Sequence, residues 1–81
     1  MKVAHEFRKG VDAGTHIFHF KRYSRCFIGS EAVDFMVNSN MATSRKDAVL
    51  LGQRLSEEIN LFHHVKREHK FSDDFKFYRY P

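Results

Sequence analysis

Hydrophobic and polar positions change period several times along this chain, and each change predicts an element. Val3, Phe7 and Val11 recur at a step of four, which predicts a short first helix ended by Gly10 and Gly14. From Thr15 to Tyr23 the period becomes two. Ile17, His19, Lys21 and Tyr23 alternate with Phe18, Phe20 and Arg22 among β-branched and aromatic residues, the pattern of an extended arm or hairpin. Neither set is purely polar, so one edge should lie against helices while a mixed aromatic and basic tip stands in solvent. Beyond Cys26-Phe27-Ile28, Gly29 permits a tight approach, Ser30 can cap, and Glu31 falls in a first turn that favours negative charge. A second helix should start near Ser30, with Ala32, Val33, Phe35, Met36 and Val37 giving a wide apolar face until Asn38-Ser39-Asn40 stops it.

A third helix opens at Ser44, with Asp47 three places on at the spacing of a capping box. Ala48, Leu51, Leu55 and Ile59 follow at steps of three or four, and Gly52 shares their stripe. Glycine costs roughly 1 kcal/mol against alanine inside a helix, so its place there predicts a close approach of two helices. Asn60 suits a helix terminus, Leu61 to Lys66 can enter a strand, and polar turns flank Phe71 before a second, aromatic strand from Phe75 to Tyr80. The order helix, arm, helix, helix, strand, strand defines an α+β fold. It is a winged-helix-like three-helix bundle with a β-hairpin arm between the first two helices and a C-terminal β-hairpin.

Length allows one domain: 81 residues bury roughly 60 to 65 % of their unfolded surface and cannot form a second core. A hydrophobic content of 42 %, with 9 Phe and 3 Tyr, is ample for that core, which argues against wholesale disorder despite 30 % charged residues. A single cysteine, Cys26, excludes an internal disulfide. No secretory apolar region starts the chain and no apolar run approaches the ~18 residues of a membrane span, so the expectation is an intracellular, cytoplasmic domain. The net charge is +4, and its distribution is lopsided. Before Cys26 stand six Lys or Arg (Lys2, Arg8, Lys9, Lys21, Arg22, Arg25) against Glu6 and Asp12, whereas the remainder is balanced. Such a basic edge attracts phosphate-rich or acidic surfaces.

Five ordered blocks carry a family resemblance. Cys26-Phe27-Ile28-Gly29-Ser30-Glu31-Ala32-Val33-Asp34-Phe35-Met36 is similar to the aromatic-X-Gly-X-X-(Leu/Val)-Val-Asp-Trp-Leu signature of the DEP domain, named for Dishevelled, the Egl-type regulators of G-protein signalling and pleckstrin. Ser44 to Gly52 resembles the family's third-helix opening, and His63-His64-Val65, Phe71-Ser72-Asp73 and Phe77-Tyr78-Arg79-Tyr80 resemble its C-terminal blocks. Phe35 stands where the family usually has Trp. The resemblance covers about residues 5 to 80 and implies one DEP-like domain of a larger signalling protein, without catalysis or cofactor. It implies recruitment to membranes through anionic phospholipids, or through a membrane receptor or signalling protein, with the domain a peripheral monomer. In Dishevelled-like members a Lys on the arm contacts the membrane. Counting back from Cys26-Phe27, the matching position here is Phe20, with His19 and Lys21 beside it, and a slip of one residue reverses the face.

The candidate membrane- or partner-binding set is therefore Phe18, His19, Phe20, Lys21, Arg22 and Arg25. Basic groups suit lipid phosphates and aromatics the interfacial layer, although an ordinary solvated strand edge gives the same pattern. At about 1 kcal/mol per basic residue near an anionic leaflet, Lys21, Arg22 and Arg25 supply roughly 3 kcal/mol, weaker than a millimolar dissociation constant. A second signal is needed. His16 and His19 could strengthen lipid contact in acid. His63, His64 and His69 match no zinc spacing and are expected as strand and turn residues. Cys26, beside Phe27 and Ile28, reads as a small buried thiol, and the glycines match no nucleotide fingerprint. The rival is a winged-helix nucleic-acid binder, in which the third helix would read a groove. That helix is neutral, with Arg45, Lys46 and Arg54 against Asp47, Glu57 and Glu58, which disfavours nucleic acid.

Overall fold

In the computed structural model, which describes residues 2–18 and 21–81 with the Phe18 side chain outside that set, helices cover one face of an antiparallel sheet. The elements are α1 (Lys2–Gly10), β1 (Gly14–Phe18), β2 (Lys21–Ile28), α2 (Gly29–Asn38), α3 (Arg45–Glu57), β3 (His63–His64) and β4 (Phe77–Arg79). The sheet order is β1-β2-β4-β3. Cys26, Phe27 and Ile28 pair with Arg79, Tyr78 and Phe77, while His63 and His64 pair with Arg79 and Tyr78. The two C-terminal strands thus do pair with each other. They are much shorter than the sequence pattern implied, and β4 also takes β2 as a neighbour, so arm and C-terminus form one sheet. The pairing is specified by long-range contacts that no local period records.

Alternation along β2 and β4 separates two apolar clusters. Phe27 and Tyr78 face the helices, joining Phe7 of α1, Val33 and Met36 of α2, Ala48 and Leu55 of α3, and the loop residues Phe62 and Phe71. Cys26, Ile28 and Phe77 face the other way, with Tyr23 and Val65 packed beside them. The main core is an aromatic cluster, in which the Phe62 ring lies 5.2 to 5.8 Å from Phe7, Phe27, Phe71 and Tyr78.

Tyr78 joins this cluster to the loop between β3 and β4. Its hydroxyl donates to the Lys70 carbonyl at 2.8 Å and accepts from the Ser72 N–H at 3.1 Å. That loop also caps the start of α2. The Gly29 N–H donates to the Lys76 carbonyl and the Ser30 N–H to the Asp74 carbonyl, both at 3.0 Å. Ser30 therefore does not cap α2: it lies within the helix, the cap position is Ile28, and backbone carbonyls from the loop satisfy the first donors. Gly29 is required here because a Cβ would lie 2.5 Å from the Ser72 carbonyl oxygen.

Ser44 caps α3 as its spacing predicts, accepting from the Asp47 N–H at 3.1 Å, while the Asp47 carboxylate accepts from the Thr43 hydroxyl. Gly52 does lie at a close approach, but its neighbour is the Phe71 ring, 2.2 Å from a notional Cβ, and not another helix. Ile59 falls beyond the end of α3 and is 38 % exposed. Left-handed Asn40 and Asn60, at φ 61° and 57°, turn the chain after α2 and α3.

Replacing Tyr78 by Phe keeps the ring and removes the hydroxyl, leaving the Lys70 carbonyl and Ser72 N–H without their partner. Such a loss costs about 1–3 kcal/mol, so the denaturant midpoint should fall accordingly, with faster amide exchange at Ser72 and Ser30.

Candidate functional site

The arm is a hairpin whose irregularity decides what its residues face. Gly14 pairs with Cys26 but His16 with Tyr23, so β2 carries one residue more than β1 between these pairs. Arg25 lies in that bulge at φ 55°, a left-handed conformation that costs a non-glycine residue roughly 1–2 kcal/mol. The bulge is pinned from β4: the Arg79 guanidinium donates to the Ser24 carbonyl at 3.1 Å, and the Cys26 thiol donates to the same oxygen at 3.1 Å. Cys26 is fully buried at this point.

Below the bulge, Ile17 pairs with Arg22 and Phe18 with Lys21. Directly paired residues share a face, so Lys21 joins Tyr23 and His16 on one side, while Arg22 and Ile17 project from the other. The Lys21 ammonium lies 5.6 Å over the Tyr23 ring, and Ile17 is 76 % exposed. Lys21, Arg22 and Arg25 are all exposed, and none of the ion pairs among the described residues includes them. Between Asp12 and Glu31 the chain has no carboxylate side chain at all. The three cations are thus brought to one arm, distributed around it instead of forming a single flat patch. Of the remaining candidates, His19, Phe20 and the side chain of Phe18 lie outside the described residues; the Phe18 backbone forms the last residue of β1.

On the helical side one cation is matched within the domain. Arg45, the first residue of α3, donates to Asp34 of α2 at 2.7 Å and makes two bonds to Asp73 of the loop, at 2.7 and 2.8 Å. The hydrogen bonds to Asp73 and Asp34 hold the guanidinium above its ordinary range, and the same contact lowers the Asp73 carboxyl. This is the cation that a groove-reading α3 would need first, and it is spent within the domain.

The histidines separate by environment. His16 is half-buried, its ring 5.5 Å from Phe77. His64 is buried, 4.8 Å from the His69 ring, and its Nδ1 accepts from the N–H groups of Lys66 at 3.2 Å and Glu68 at 3.4 Å. Among the described residues no three His, Cys, Asp or Glu side chains are placed to hold a metal ion. Sequence reasoning missed two contributors. Arg79 fixes the base of the arm, and Phe75 is 58 % exposed beside the arm's Tyr23 face instead of lying in a strand. The adjacent Asp73-Asp74 turn was the available signal for Phe75, since a clamped turn breaks strand alternation.

Three helices against one face of an antiparallel sheet, with an aromatic and basic hairpin between the first two helices, define a small α+β domain that presents an arm. A family model described as "Domain found in Dishevelled, Egl-10, and Pleckstrin (DEP)" matches residues 10–80, and the chain belongs to the DEP family. It is 38 % identical over 82 residues to the vacuolar membrane-associated protein IML1 of Eremothecium gossypii, covering 96 % of this chain and 5 % of that protein. It is 38 % identical over 75 residues to the Rho1 guanine nucleotide exchange factor 2 of Schizosaccharomyces pombe, covering 93 % and 6 %. The vacuolar membrane-associated protein iml1 of Emericella nidulans is 39 % identical over 72 residues, covering 88 % and 4 %. The chain spans only a small fraction of the length of these relatives.

The His64 geometry sets the sign of one pH dependence. Burial first, and then the neighbouring His69, lowers its pKa, and the two N–H groups aimed at Nδ1 require the neutral ring. A histidine lowered on folding contributes fully above its unfolded value of about 6.5, and that contribution is lost as pH falls through the folded value. The denaturation midpoint should therefore drop on acidification below about pH 6.5. In a His64→Asn variant, which keeps an acceptor near Nδ1 without titrating, the drop should be shallower.

Proposed function

We propose that this DEP domain is a non-catalytic signalling module that helps hold its parent protein at a membrane, through contact of the arm with anionic phospholipid headgroups. The observation that carries this reading is the exposed, unneutralised set Lys21, Arg22 and Arg25 on a hairpin with no carboxylate of its own. Their placement around the arm supports headgroup contact by the arm whichever of its sides faces the membrane. No helix among the described residues is long and apolar enough to cross a membrane, so the contact proposed is peripheral. Relatives named for association with the vacuolar membrane, and one named as a Rho1 exchange factor, support a module used in membrane-linked signalling. In the winged-helix reading of the same scaffold, α3 would enter a DNA groove. The Arg45 contacts to Asp34 and Asp73 weigh against that mode, because phosphate neutralisation dominates DNA affinity.

Co-sedimentation with phosphatidylserine-containing vesicles tests the proposal. Binding should weaken with salt, be negligible on neutral vesicles, and disappear in the Lys21→Glu, Arg22→Glu, Arg25→Glu triple variant. Arg25→Gly separates charge from folding: it relieves the left-handed backbone, so stability should hold or rise, while vesicle affinity should fall about fivefold for the loss of about 1 kcal/mol. Undiminished binding of the triple variant, or binding of a membrane-protein segment with no affinity for vesicles, would refute lipid contact as the mechanism.

A further inference from the structure

We propose that Phe75 is an apolar anchor that seats the helix-free face of the sheet in the lipid interface, supplying the second signal that the arm's charges require; the inference rests on the membrane reading above. The helices cover only the Phe27 and Tyr78 face. On the opposite face Tyr23 stacks on Phe77 with centroids 4.5 Å apart, and Phe75 meets Phe77 edge-on at 5.5 Å, so Phe75 shares a surface with the arm's Lys21 side. At 58 % exposed, Phe75 is the most accessible ring of that group.

Its backbone is nevertheless held on both sides. The Asp74 carbonyl accepts from the N–H groups of Ser30 and Lys76, the Lys76 carbonyl accepts from Gly29, and Asp73 is gripped by Arg45. A clamped loop leaves little ordering entropy to lose on contact. The charge around it suits an anionic leaflet. Lys21 and Lys66 belong to no ion pair among the described residues, Lys76 is neutralised by Asp74 at 2.9 Å, and Glu68 is the opposing carboxylate that lines the same shallow depression as Tyr23, Lys66 and Phe75. An aromatic ring at the headgroup level with lysines reaching past it is the usual composition of an interfacial contact. A stacking platform for single-stranded nucleic acid is a poorer match, because Tyr23 and Phe77 already use their faces on each other and Phe77 is only 6 % exposed.

The chain contains no tryptophan, so Phe75→Trp introduces a unique fluorophore at the proposed anchor. With phosphatidylserine–phosphatidylcholine vesicles, Phe75→Ala should bind about tenfold more weakly than wild type by a factor that salt does not change, unlike the effect of the arm substitutions. Phe75→Trp should bind at least as well as wild type, and its emission should shift to the blue on vesicles. The denaturation midpoint of each variant, measured alongside, separates a lost lipid contact from a destabilised fold. Wild-type binding that depends on Lys21, Arg22 and Arg25 but is untouched by Phe75→Ala, with no emission shift, would overturn the anchor and leave arm-mediated recruitment standing. Absence of wild-type vesicle binding would remove both. Loss of oligonucleotide binding in Phe75→Ala, with vesicle binding intact, would overturn the lipid assignment in favour of nucleic acid.

Discussion

The Tyr78 side chain is the contact on which the domain's other arrangements depend. Its ring closes the aromatic cluster against Phe27, Phe62 and Phe71, and its hydroxyl fixes the loop at Lys70 and Ser72. Because that loop supplies the carbonyls at the start of α2, one buried phenol connects sheet, core and helix onset. A buried hydroxyl is tolerable only when satisfied, so the loop cannot drift without exposing an unpaired polar group to the core. The same constraint keeps Gly29 under the loop, where any side chain would meet the Ser72 carbonyl.

The charges divide the domain in a second way. Arg45 ties α2, α3 and the loop together through Asp34 and Asp73, at sites open enough that solvent screening limits what each pair adds. Its main effect is on availability. Arg45 and Arg54 of α3 are matched by carboxylates, whereas Lys21, Arg22 and Arg25 belong to none of the ion pairs among the described residues, so together with Lys2, Arg8 and Lys9 of α1 they place the positive field on the N-terminal part of the chain. A domain of modest net charge can thereby present a localised positive region without a matching cost in self-repulsion across its body.

Elements set by local chemistry were legible in the sequence. The Ser44 cap, the apolar faces of α2 and α3 and the turns at Asn40 and Asn60 each follow from residues within a few positions of one another. What escaped was nonlocal. The partner of Gly52 is Phe71, the donors of α2 are met by Asp74 and Lys76, and β4 lies between β2 and β3; in each case the decisive neighbour is distant in sequence. The candidate site divides in the same manner. Charge asymmetry made Lys21, Arg22 and Arg25 candidates, whereas the bulge at Arg25, the opposite orientations of Lys21 and Arg22, and the proximity of Phe75 to Tyr23 depend on pairing register.

β2 ends at Ile28 and α2 begins at Gly29, with no residue between them. Hairpin and body are therefore joined as a lever is to its fulcrum, with the Arg79 brace and the Asp74 and Lys76 carbonyls at the pivot. The direction in which the hairpin points is therefore tied to the orientation of the helical layer.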